Sequence, residues 1–178
     1  SLSSDGSVVA IGARQNNDNG YLSGHVRVYK WVSGAWTKQG DDINGEAAGD
    51  NSGTSVSLSS DGSIVAIGAE NNDGNGTNSG HVRVYKWVSG AWIQQGADID
   101  GEAAEDYSGH SVSLSSDGSS VAIGALYNGG NGFNSGHVRV YTLIPCTTPT
   151  AYSVSGPGII CPSASASIGL SGSQSGHT

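Results

Sequence analysis

SGTSVSLSSDGSIVAIGAENNDGNGTNSGHVRVYKW, residues 52–87, contains a phrase that returns. SLSSDGS stands at residues 1, 57 and 113, and the residues after it are nearly the same each time. The chain is therefore three tandem copies of a 56-residue unit with a different tail at the end. A fixed period of this size marks repeat architectures, in which one supersecondary unit cannot bury its own apolar face and needs its neighbours.

Within the middle unit, Asp61-Gly62 sits between SVSL and SIVAIGA, two β-prone runs around a hairpin turn. Residues 70–80, ENNDGNGTNSG, have loop composition. HVRVYKW, residues 81–87, alternates polar and apolar side chains, Ser89-Gly90 turns, and AWIQQ, residues 91–95, restarts an extended run. Four short antiparallel strands per unit match a propeller blade. The expected fold is all-β: a partial β-propeller of four-stranded antiparallel blades with a truncated β-sandwich-like tail. The repeats run 1–56, 57–112 and 113–141, the last incomplete; 142–150 reads as a linker and 151–178 as the start of a further domain. Helical solenoids are excluded, because no segment has a 3.6-residue period and Gly punctuates every candidate helix.

Residues 52–87 resemble the FG-GAP repeat, the blade unit of the integrin alpha-subunit propeller, and the resemblance extends over residues 1–141. Ser52-Gly53 stands where that family has Phe-Gly, Gly68-Ala69 matches the Gly-Ala of its Gly-Ala-Pro with Glu70 in place of Pro, and Gly80-His81-Val82-Arg83-Val84-Tyr85 fits its third strand. The tail, YSVSGPGIICPSASASIGLSGSQSG, is similar to the opening of an immunoglobulin-like module of large bacterial surface proteins. The resemblance implies a secreted or cell-surface binding, adhesion or scaffolding module with an unknown protein or glycan ligand. Alternatives are a propeller enzyme acting on glycans, with catalytic residues in other blades, and a periplasmic sensor of the SPDG-type class suggested by SSDGS.

Calcium-binding relatives place an Asp-x-Asp-x-Asp-Gly-x-x-Asp loop between strands one and two, because Ca²⁺ wants six to eight oxygens. Ser59-Ser60-Asp61-Gly62 offers one carboxylate. No cofactor is expected; weak calcium binding through Asp18 or Asp73 stays open, though the third loop has no acid.

Composition narrows the rest. A net charge of −8 disfavours nucleic acid, whose binding needs clustered Lys and Arg. No apolar run approaches the ~20 residues of a membrane span. The chain has no Met and opens inside a repeat, so we expect a piece of a longer protein, its ring closed by an AWxxQG-like strand upstream. Three blades leave unpaired β-edges, which invites self-association.

The Asn/Asp/Gly loops are the binding candidates: Asn16, Asn17 and Asp18; Asn72, Asp73 and Asn75; Asn128 and Asn131. They are polar, variable and carried on a rigid scaffold. Arg27, Arg83 and Arg139 alternate with valines that should be buried, and a buried guanidinium needs a carboxylate; Glu46 and Glu102, in the recurring GEAA, are the expected inter-blade partners. His25, His81 and His137 recur once per unit and read as strand-entry residues packed between blades, since a shared zinc would need all three within ~2 Å of the ion. Trp31, Trp36, Trp87 and Trp92 read as packing residues, with sugar stacking the alternative. Cys146 and Cys161 are expected to form a disulfide in an exported chain. No catalytic motif is present.

Overall fold

The computed structural model describes residues 1–143, which form one compact unit. The tail, with Cys146, Cys161 and the boundaries expected beyond Leu143, lies outside the described residues.

The described chain is all-β and built as three antiparallel sheets, one per repeat. The first contains β1 (Val8–Ala13), β2 (His25–Val32), β3 (Ala35–Lys38) and β4 (Ile43–Asn44). The second contains β5 (Ser55–Leu58), β6 (Ile64–Ala69), β7 (His81–Val88), β8 (Ala91–Gln94) and β9 (Ile99–Asp100). The third contains β10 (Ser108–Leu114), β11 (Ser120–Ala125) and β12 (His137–Thr142). Along the main path of each sheet the strands follow chain order, while β4 and β9 pair back onto β2 and β7 beside β3 and β8.

The fourth strand departs from the single run expected over 91–95. β8 pairs with the second half of β7, from Tyr85↔Gln94 to Val88↔Ala91, and β9 pairs with its first half, at His81↔Asp100 and Val82↔Ile99. Between them Gln95 N donates to Val84 O at 2.7 Å, and residues 96–98 belong to neither strand. Arg83, on β7 between these two pairings, meets Asp98 of the segment that joins β8 to β9. β2, β3 and β4 repeat the arrangement around Arg27 and Asp42.

Period-2 alternation gives each sheet two apolar faces. In the second sheet Val56, Leu58, Val65 and Ile67 point forward and pack on Val8, Ala10, Val26, Val28 and Ile43 of the first. Ile64, Ala66, Val82, Val84 and Ile99 point backward and pack on Val112, Leu114, Val121 and Ile123 of the third. Each core is therefore an inter-sheet layer, so no repeat has a core of its own.

Two glycines set how closely the sheets approach. A Cβ on Gly12 would run into the Gly53 carbonyl of the next sheet, and one on Gly68 would run into that of Gly109. The Ser-Asp-Gly turns add a second line of contact. Asp61 accepts from Ser59 Oγ (2.7 Å) and Ser63 N (3.0 Å), Gly62 adopts φ +69°, and the shaped turn lies against its neighbours. Ser4 N donates to Ser60 O at 2.9 Å and Ser60 N to Ser116 O at 2.8 Å, joining all three turns.

Candidate functional site

Polar side chains of the described residues gather in one group on the first sheet and in one at each of the two junctions between sheets. Arg83 leaves β7 half-buried and binds Asp98 of its own repeat twice, Nε to Oδ1 at 2.9 Å and Nη2 to Oδ2 at 2.8 Å. The same Nη2 contacts Glu46 of the preceding repeat. At the second junction Arg139 contacts Glu102 in the same way. Arg27, in the first sheet, pairs with Asp42 instead, Nε and Nη2 each 2.8 Å from Oδ2, and Lys38 reaches the other oxygen of that carboxylate.

These contacts set the electrostatics. Hydrogen bonds from Arg27 and then Lys38 hold the Asp42 carboxyl down to about 2. Burial alone would raise Asp98, but bonds from Arg83 and Gln94 outweigh it and keep the carboxyl below its ordinary value.

His25 and His81 are buried at the strand entries beside these pairs. His25 Nδ1 lies 3.2 Å from Asp18 and 3.7 Å from Asp42. His81 Nδ1 faces Asp98 at 3.6 Å and Glu46 at 3.9 Å, too far to hydrogen-bond, and is left without a partner. Burial pushes this imidazole below its ordinary value, against the opposing pull of Asp98, Asp50 and Asp100. His137, half-exposed at the second junction, lies 3.5 Å from Glu102. The three imidazoles thus occupy separate, equivalent places.

Two groups, Asp18 with His25 and Asp42, and Glu46 with His81 and Asp98, bring their ligand atoms within 4.8 Å of one another. Each already surrounds a guanidinium, whose charge offsets the carboxylates a divalent cation would use.

The Asn/Asp loops are part of the same framework. Asn72 is buried; its Nδ2 donates across the junction to Asp50 (3.1 Å) and its Oδ1 accepts from Gly74 N (2.8 Å). Asn128 repeats this with Asp106 (2.8 Å) and Gly130 (2.9 Å). Asn75 Nδ2 donates to the carbonyls of Gly101 (2.8 Å) and Glu102 (3.0 Å). Asn16, Asn17 and Asp73 accept from backbone N–H groups of Asp18, Leu22 and Asn78 within their own loops. Asp18 and Asn131 are exposed.

Sequence reasoning missed Asp42, Asp98, Asp50 and Asp106. Each recurs in the first two repeats, in Asp-Ile at 42 and 98 and as the acid closing GEAAGD and GEAAED. Asp50 and Asp106 are buried, and each also accepts from a backbone N–H three residues earlier, Ala47 at 3.0 Å and Ala103 at 3.1 Å.

The aromatic residues divide into two sets. Trp31 and Trp36 face each other across β2 and β3 with ring centroids 5.3 Å apart and remain exposed, whereas Trp92 Nε1 donates to Gln39 O of the first repeat at 2.8 Å. On the loop rim Tyr107 and Tyr127 meet edge to face at 5.4 Å, and Tyr21 and Phe133 are exposed at loop tips.

The FG-GAP repeat family matches residues 40–85, from the end of the first repeat through most of β7. No curated protein matches the chain. The family match points to a β-propeller type of module, in keeping with the stacked antiparallel sheets. Among the described residues no helix is long and apolar enough to cross a membrane.

Proposed function

We propose that the chain is a non-catalytic binding or scaffolding module of the cell exterior, and that its ligand-facing surface is the loop rim over residues 14–24, 70–80 and 126–136. The observation that supports this reading is a division of labour within the rim. Asn72, Asn75 and Asn128 commit their polar groups to Asp50, Asp106 and neighbouring carbonyls, which fixes the loops to the sheets. The tips meanwhile present Tyr21, Tyr127 and Phe133 to solvent, with the half-buried Tyr107 packed edge to face on Tyr127. Large side chains on a preorganised backbone lose little entropy on binding and suit a protein or glycan surface. An exterior location is in keeping with the acidic, Gly- and Ser-rich composition.

The second reading, a fragment of a glycan-active enzyme, draws on the same aromatics, which could also stack on sugar rings. Probing an array of immobilised glycans and proteins with the full chain separates the two. Saturable binding that Phe133→Ala and Tyr21→Ala abolish, with unchanged thermal unfolding and no cleavage of bound glycans, is the expected result. Binding insensitive to both substitutions would sink the rim assignment, and glycan cleavage would sink the non-catalytic one.

A further inference from the structure

A cleft of about 260 Å³ opens between the first and second repeats. One wall is the stretch that leaves β3 and enters β4, with Asp41, Ile43 and Asn44; the other is the β7–β8 hairpin, with Tyr85, Ala91 and Trp92. Both walls are interior to the described residues, so the cleft belongs to a junction with a sheet on each side.

Its polar groups differ in what they have left to give. Asp42 is spent on Arg27 and Lys38, neither of which lines the cleft. Asp41 beside it is exposed and has neither ion pair nor hydrogen bond among the described residues. The fold does not require a carboxylate there, because the equivalent position of the second repeat is Ala97. The Asn44 amide, also exposed, is likewise without a partner among the described residues. Trp92 is half-buried, and its Nε1 donates to Gln39 O at 2.8 Å. That bond uses the one donor of the indole and fixes the ring, so what Trp92 still offers is its π surface, the best of the aromatic side chains for a cation.

We propose that this cleft binds a guanidinium group, the side chain of an arginine on a partner protein, with Asp41 taking its charge, Trp92 and Tyr85 its flat face, and the Asn44 carbonyl one further N–H. No Lys or Arg lines the cleft, and the net charge of −8 draws cations toward the chain. A guanidinium suits the site better than an ammonium, because a planar cation can lie on aromatic rings while its N–H fork meets a carboxylate. The cleft is smaller than the roughly 300–1,000 Å³ of sites that enclose a whole small molecule, so it fits one side chain of a larger partner. The proposal stands apart from the loop rim and needs no ligand there.

Titrating the full chain with acetyl-Gly-Arg-Gly-amide, and following the indole N–H resonances of its 4 tryptophans by NMR, tests it. The Trp92 resonance is expected to shift saturably at millimolar peptide. Asp41→Ala copies the residue of the second repeat, so thermal unfolding should not change, and binding is expected to weaken about fivefold. Glu105→Gln removes the same single charge on the loop rim and should leave the titration as it is, as should Phe133→Ala. No shift at Trp92, or an equal weakening in Asp41→Ala and Glu105→Gln, would overturn the proposal, the latter by showing general charge attraction. An equal response to acetyl-Gly-Lys-Gly-amide would remove the guanidinium preference, and one to acetyl-Gly-Gln-Gly-amide or to maltose would mean a site for neutral ligands. None of these outcomes bears on the rim assignment, which Phe133→Ala and Tyr21→Ala decide separately.

Discussion

Arg83 and Asp98 form a two-pronged pair in the gap where the fourth strand of their sheet breaks, Nε to Oδ1 at 2.9 Å and Nη2 to Oδ2 at 2.8 Å. Glu46 closes the group from the preceding repeat, so one guanidinium fastens a strand break and a sheet junction at once.

Removing that guanidinium leaves two carboxylates facing each other beside a buried imidazole. Arg83→Ala should cost about 2–3 kcal/mol in denaturant unfolding, below the full penalty for a buried pair because Glu46 is half in solvent. Arg139→Ala, whose guanidinium is more exposed and meets Glu102 alone among the described residues, should cost under about 1 kcal/mol. Equal losses for the two variants would contradict the part assigned to Asp98.

Acid should weaken the fold in two stages. Burial lowers the His81 pKa beneath the 6.5 of a free imidazole, so the unfolded chain binds the proton more readily. Its contribution is complete above about pH 6.5 and is lost as pH falls through the lowered native value. Asp42 and Asp117 are held at about 2, so their contributions persist until pH drops below the ordinary carboxylate range of about 4. Thermal midpoints measured from pH 8 to pH 3 should show both declines, and His81→Gln should flatten only the first. A first decline that persists undiminished in His81→Gln would assign it to another group.

Gly68 should tolerate no side chain. Its Cβ would strike the Gly109 carbonyl, which is backbone held in the neighbouring sheet, so Gly68→Ala should cost about 3 kcal/mol. At Gly124 the only close obstacle among the described residues is the Ser111 hydroxyl, which can rotate away, and Gly124→Ala should cost less than about 1 kcal/mol. The comparison is read from urea midpoints, and equal shifts would refute the close approach at Gly68.

Chelation should leave the thermal midpoint unchanged. Asp61 and Asp117 are each occupied by serine hydroxyls and backbone N–H groups within their own turns, and each turn has a single carboxylate where calcium needs several. A midpoint lowered by many degrees in EDTA and restored by Ca²⁺ would show that the turns or the Asp18 and Asp73 loops hold the ion after all.

The repeat, the turns and the strand positions were legible in the chain because each is a local property. Asp61-Gly62 shapes its turn through Ser59 and Ser63, all within five residues, and alternation along HVRVYKW needs only neighbours to be visible. Pairing across junctions was only partly legible. Glu46 and Glu102 could be matched to arginines by recurrence and charge, but Asp98 could not, because it reaches Arg83 only where β8 and β9 part.

The loops show the same limit. Asn72, Asp73 and Asn75 look alike in the sequence, yet Asn72 is buried against Asp50, 22 residues earlier, while Asp73 serves only its own turn. The sequence by itself determined three copies of an all-β unit with an apolar side chain on both sides of each strand. Which of those sides is covered was decided by tertiary structure alone. Val84 and Val140 each stand between Arg and Tyr and hold the same register on their strands, and they differ because, among the described residues, a further sheet lies on one and not on the other.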